Sequence, residues 1–149
     1  MNAAELFSHW EPVRRGLFEA LDKVSDEQLA FVPREGLWSL GTVARHIANA
    51  EDGWFGYVAI GELDEWPSLV EEDCATVESV KKLLAEVHKR TRAYLATVDA
   101  EDLDRVIRTP WGEELPLRWI VWHVIEHEIH HRGEIFMMLG LMGMEAPEI

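Results

Sequence analysis

The sequence predicts an all-α fold, a four-helix bundle that occupies residues 1–149 as a single domain. Two observations carry it. Four segments, each of roughly five turns, repeat their apolar residues at steps of three and four rather than in alternation. The chain has 149 residues, 48% of them hydrophobic, which suffices to bury one core and leaves no room for a second.

From Leu6 the first predicted helix places Trp10, Val13, Leu17, Leu21 and Val24 on one face. Pro12 either kinks it or occupies its first turn, where a missing N–H costs little. Ser25-Asp-Glu-Gln28 has the pattern of a capping box and predicts a short extra turn. Ser39, behind Trp38, is a good N-cap for the second helix, which carries Leu40, Val43, Ile47, Ala50 and Trp54 and stops near Gly61. The third begins after Thr76 and sets Val80, Leu84, Val87, Thr91, Tyr94 and Val98 on one stripe. The fourth starts around Pro116 and runs through Ile120, Val124, His127, His131, Ile135 and Met138 to Gly140 and Gly143.

Two connections exceed the ~2–8 residues of a simple up-down bundle. The first, Gly61 to Ala75, is rich in acids and at ~3.3 Å per residue can return along a whole helix. Such a long crossover makes helices two and three parallel. The second, Asp99 to Leu115, holds Pro110-Trp-Gly112 as a turn between two short extended pieces, which predicts a small hairpin or flap before helix four.

Charge narrows the partners. Fourteen Lys and Arg against 28 Asp and Glu give a net charge of −14, and Arg14-Arg15 and Lys81-Lys82 are the densest basic spots, so no nucleic acid partner is expected. A lone cysteine, Cys74, suits a reducing cytoplasm. The N-terminal residues lack a basic and apolar leader, and no segment approaches the ~18 apolar residues of a membrane span. The expectation is a cytoplasmic protein with no membrane partner.

Four of seven histidines fall close together: His123, His127, His130 and His131. At 100° per residue His127 and His131 lie about 40° apart, one turn along the inward stripe. Two buried imidazoles demand polar partners, and i, i+4 is the spacing at which two ring nitrogens converge on one metal ion. His46, three residues after Val43 and four before Ala50, belongs to the inward stripe of helix two and supplies a third corner. The competing reading, three ordinary core histidines bonded to carbonyls or carboxylates, is weaker for three together on facing helices than for any one alone. His123 sits at the edge of the face and His130 farther round, which gives both a supporting or surface role. Glu134, three residues after His131, is placed to accept a ligand histidine's second N–H. His9 and His88 show no partner and read as solvated. Trp38 and Trp54 flank the His46 helix and either wall a pocket or fill the core.

His127-Glu-Ile-His-His131 also matches H-E-x-x-H, in which the glutamate is the general base of a zinc protease. The surroundings argue against it: Glu134 and Met137 stand where the extended motif needs glycine and histidine, and no substantial sheet is available to bind a peptide. A di-iron carboxylate bundle needs two E-x-x-H motifs, and only Glu128 to His131 provides one.

Trp38-Ser39, then His46-Ile-Ala48 with Glu51, then His127-Glu-Ile-His-His131-Arg-Gly-Glu134-Ile135, resemble the DinB-like family of metal-binding four-helix bundles and its YfiT relatives over nearly the whole chain. The resemblance implies an up-down-down-up topology, in agreement with the crossover, and carries His46, His127 and His131 over as the three metal ligands. Thr42 departs from the family, which often has Glu or Gln there, and this puts a full capping box on helix two in doubt.

Three neutral imidazoles leave a coordination position open on a divalent transition metal, whereas closed structural sites use four ligands. Zinc is the first expectation, with nickel, iron or manganese as alternatives. The resemblance implies a thiol-dependent S-transferase that takes a small-molecule thiol and an electrophile. The alternative is a non-catalytic metal or small-molecule binding protein of stress response. The resemblance also implies a homodimer, for which Gly53, Gly56 and Gly133 would permit close helix packing.

Overall fold

In a computed structural model that describes residues 1–68 and 71–149, four long helices form the bundle. A short α1 (Ala3–Leu6) precedes α2 (Trp10–Leu21), α3 (Leu40–Asp52), α4 (Val77–Leu95) and α5 (Leu117–Leu141). The first predicted helix therefore begins at Trp10 rather than Leu6, and a separate short helix precedes it. The chain breaks between Leu6 and Trp10, because Ala3 N–H is drawn to the Val98 carbonyl at 2.8 Å and α1 docks beside the end of α4. Pro12 sits in the first turn of α2, where it breaks no hydrogen bond.

The remaining starts lie where local capping puts them. The Ser39 hydroxyl accepts Thr42 N–H at 3.1 Å without a full capping box, and Thr76 and Ser79 form a reciprocal box at the start of α4. Ser25 and Gln28 pair as expected ahead of a 3-10 turn over Glu27–Ala30. The second helix differs at its end: α3 stops at Asp52, and a π-helical turn, Gly53–Ala59, carries the chain on toward Gly61. Gly53 and Gly56 are covered from within the chain by Trp66 and Leu63, so these two glycines seat the crossover instead of opening a surface to a second copy. Residues 69 and 70 of the crossover lie outside the described residues. The predicted flap is a two-stranded antiparallel hairpin, β1 (Val106–Arg108) and β2 (Glu114–Pro116), leading directly into α5.

Cross-helix pairs fix the topology. Arg14 meets Glu128 and Gly16 meets Arg132, so α2 and α5 run parallel. Glu51 meets His88 and Asp52 meets Arg90, so α3 and α4 are parallel as well. His46 meets His127 while Trp54 meets His123, which makes α3 and α5 antiparallel. The order is up-down-down-up.

Apolar burial divides into two clusters. One gathers Leu17, Ile47, Leu84 and Ile135; the other gathers Trp10, Phe55, Leu95 and Ile120. A buried polar layer of Arg14, Glu51, His88 and Glu128 lies between them along all four long helices. Among the described residues no helix is long and apolar enough to cross a membrane.

Candidate metal centre

His46 on α3 and His127 and His131 on α5 converge at a partly exposed site between these two helices. Their candidate donor nitrogens all lie within 4.8 Å of one another. His46 and His127 face each other Nε2 to Nε2 at 2.8 Å, one ring donating and the other accepting. The His131 ring stands 4.8 Å from His46 and 4.4 Å from His127 between centroids. His131 Nδ1 bonds the Glu134 carboxylate at 2.9 Å, so the glutamate holds that proton and leaves Nε2 as the free donor atom. This donor set, three imidazoles gathered from two rigid helices with one of them oriented by a carboxylate, fits a first-row divalent ion.

Electrostatics favour the neutral form of His127 and His46. Burial, followed by the neighbouring His131, His46, His123 and His130, pushes the His127 imidazole down to about 3. Burial and then His131 lower His46 too, against a smaller opposing pull from Glu134. Neutral imidazole is the form that ligates metal.

The other residues singled out from the sequence take distinct places. His130 is exposed and its Nε2 reaches the second Glu134 oxygen at 3.1 Å. His123 stacks on Trp119 at 4.6 Å and stands 6.4 Å from His127, behind the cluster. Trp38 lies against His46 with centroids 4.8 Å apart and lines two cavities. Trp54 lines neither of these; it packs edge-on against Trp66 of the crossover and Trp111 of the flap, pinning both insertions to the π-helical turn.

The two cavities, each about 310 Å3, are unlike. One is lined mainly by polar residues, Thr42, Arg45, His46, Asn49 and Glu71, together with Trp38. The other is apolar, bounded mainly by Leu37, Val43, Met137 and Met138, and ends on His131 and Glu134.

His88 corrects the sequence reading: it is buried, not solvated. Its Nδ1 bonds Glu51 at 2.8 Å and its Nε2 reaches Glu11 at 3.2 Å. Arg14 joins Glu51 at 2.5 Å and Glu128 at 2.7 Å, and Trp10 Nε1–H donates to Glu128 at 2.6 Å. Burial alone would raise the Glu51 carboxyl, but Arg14 and His88 outweigh it and hold it down to about 2. Burial opposes the Arg14 charge, and the two carboxylates overcome that, so its pKa rises. A signal was present in the sequence: His88 follows Leu84 by four residues and precedes Thr91 by three, which puts it on the inward face of α4.

With this geometry in place, comparison with known proteins is decisive. Residues 1–149 match the DinB family in full. The chain belongs to the DinB family. Within it, the chain is 26% identical over 141 residues to YjoA of Bacillus subtilis, covering 93% of this chain and 90% of that one. It is 28% identical over 148 residues to YfiT of Bacillus subtilis, covering 87% and 82%. A DinB-like protein from Bacillus cereus superposes with a TM-score of 0.80 at 19% identity, covering 99% of this chain and 97% of that one. The structure of YfiT, a probable metal-dependent hydrolase with an unusual four-helix bundle topology, gives a TM-score of 0.74 at 24% identity, covering 96% and 89%. The DinB-family bundle is thereby established, and it carries a histidine group that could hold a metal ion.

Proposed function

We propose that His46, His127 and His131 hold one divalent transition metal, zinc in first place and nickel, iron or manganese as alternatives, in an enzyme that joins a low-molecular-weight thiol to a small electrophile. The observation that carries this reading is the pair of unlike cavities that share Trp38, one reaching His46 and lined mainly by polar residues, the other reaching His131 and mainly apolar. Two organic substrates need two places to sit. Bound at the cluster, the ion supplies Lewis acidity that lowers the pKa of a thiol.

The chain's own groups do the rest. Glu134 fixes the tautomer of His131, the low pKa of His127 keeps its lone pair available, and Trp38 stands where the cavities divide. In the transfer the thiol sulfur bonds to the electrophilic carbon, the bond from that carbon to its leaving group breaks, and the thiol proton departs with the leaving group as its conjugate acid. The second reading is hydrolysis, favoured by the description of YfiT as a metal-dependent hydrolase. Water would then replace the thiol, and the polar cavity would have no substrate to hold.

The test is turnover of a chlorodinitrobenzene by metal-loaded protein with and without a cysteine-type thiol. A thiol- and metal-dependent rate that is lost in His127→Ala supports the transferase. Release of product from esters or amides with no thiol present supports the hydrolase. Metal binding with neither activity supports the non-catalytic binding protein. The same reading makes the partners small molecules: duplex DNA should not bind at physiological salt, given a net charge of −14. Self-association as a homodimer belongs to it as well and is read by sedimentation.

A further inference from the structure

We propose that the apolar cavity beside His131 is the seat of a linear apolar arm on the electrophile, so that the substrate class is an electrophile with an alkyl or aryl segment next to its reactive carbon. The inference deepens the metal-enzyme reading and rests on it for the position of the reacting group.

Three large apolar side chains, Leu37 at 57% exposure, Trp38 at 51% and Met137 at 55%, stand in water around this one groove. Isolated exposed apolar residues are ordinary; three on the rim of a single concavity form a patch whose burial awaits a ligand. The floor is Val43 and Met138, both almost fully buried, so the groove is bedded on the rigid core. About 310 Å3 is the lower end of the range for small-molecule sites, and a mostly apolar wall with few polar groups is their usual composition. Those polar groups, His131 and Glu134, are at the end where the histidines converge. A chain laid in the groove therefore has its head at the cluster and its tail between Leu37 and Met137.

Local sequence builds the rim. Gly36 takes φ +87°, a left-handed turn that places Leu37 and Trp38 immediately before the Ser39 cap, so α3 anchors both side chains. Met137 and Met138, unbranched and polarizable, can follow arms of differing shape. The polar cavity on the other side of Trp38 offers no comparable surface, which gives the site a direction: apolar arm toward α5, polar partner toward the crossover.

The experiment measures, by calorimetry on metal-loaded protein, the affinity of straight-chain alkyl hydroxamates from two to eight carbons. The headgroup seeks the metal and the tail reports the groove. Affinity should rise roughly three- to fourfold per added methylene until the groove is full. In the Leu37→Gln, Met137→Gln double variant, whose positions are exposed, the increment per methylene should fall clearly below that of the unaltered protein, so that the loss of affinity grows with chain length and is smallest for acetohydroxamate. Affinity independent of chain length, or an increment unchanged in the double variant, overturns the proposal. If the loaded protein holds no metal and acetohydroxamate does not bind, the metal reading fails, and the groove is judged separately by methyl NMR. Hexanol should then shift Met137 and Met138 and leave Met1 in place; absence of those shifts overturns the groove too.

Discussion

The Glu128 carboxylate lies 2.7 Å from the Arg14 Nε, facing α2, although the residue before it, His127, faces α3 and the histidine cluster. One step along the helix separates the two roles. In the H-E-x-x-H reading Glu128 would be a base beside the metal; here both its oxygens are bonded to Arg14 and one also to Trp10, all buried. The motif match is a coincidence of spacing.

Removing one partner of this buried network should be costly, because it strands charge in the core. Arg14→Ala is expected to lower the stability of the fold by about 3–5 kcal/mol in denaturant unfolding. Glu128→Gln should also destabilise while leaving metal content unchanged. A Glu128→Gln protein of normal stability that had lost only activity would point back to a general base.

Acid should lower the stability of the metal-free protein through two overlapping titrations. His127 titrates near 3 in the fold and near 6.5 when unfolded, so from pH 6.5 down to 3 the unfolded chain takes up a proton that the native one refuses, and stability falls. Glu51 is held at about 2 against 4.5, so its stabilising contribution is complete above 4.5 and disappears as pH drops toward 2. Unfolding midpoints measured against pH should show both, and Glu51→Gln should flatten only the lower part. A stability that increased on acidification from pH 6.5 would contradict this.

Glu134 acts through His131. Glu134→Gln should weaken metal affinity by about 10- to 100-fold, the usual effect of losing a carboxylate behind a ligating histidine, whereas His9→Ala should leave it unaltered. Equal affinity in both variants would remove Glu134 from the site.

Gly53 seats the crossover. A Cβ there would run into the Trp66 indole, so Gly53→Ala should cost about 1–3 kcal/mol through overpacking and alter tryptophan fluorescence. Adding Trp66→Ala to it should restore part of the loss, because the clash is then gone; strict additivity in the double-mutant cycle would refute the contact.

Helix starts were legible because their causes are local: Ser39 and Thr76 cap their own next turn, and Pro116 opens α5. The parallel pairing of α3 with α4 was readable from crossover length alone. The break before Trp10 and the π-helical turn were not, since each depends on a distant partner, Val98 in one case and Trp66 in the other. The histidine cluster was readable from i, i+4 spacing on one helix and a facing histidine on another. His88 was missed because its partner Glu51 is 37 residues away, and a buried hydrogen-bonded pair of this kind shows in sequence only as polar residues on an apolar stripe.

The three-histidine centre is tested most directly by anomalous diffraction from metal-loaded crystals, recorded at the edge of the bound element. One peak per chain is expected, within bonding distance of ring nitrogens from His46, His127 and His131, and absent from crystals of His131→Ala. A peak held instead by Glu51 and His88, or by His130 and Glu134 without His46 and His127, would contradict it.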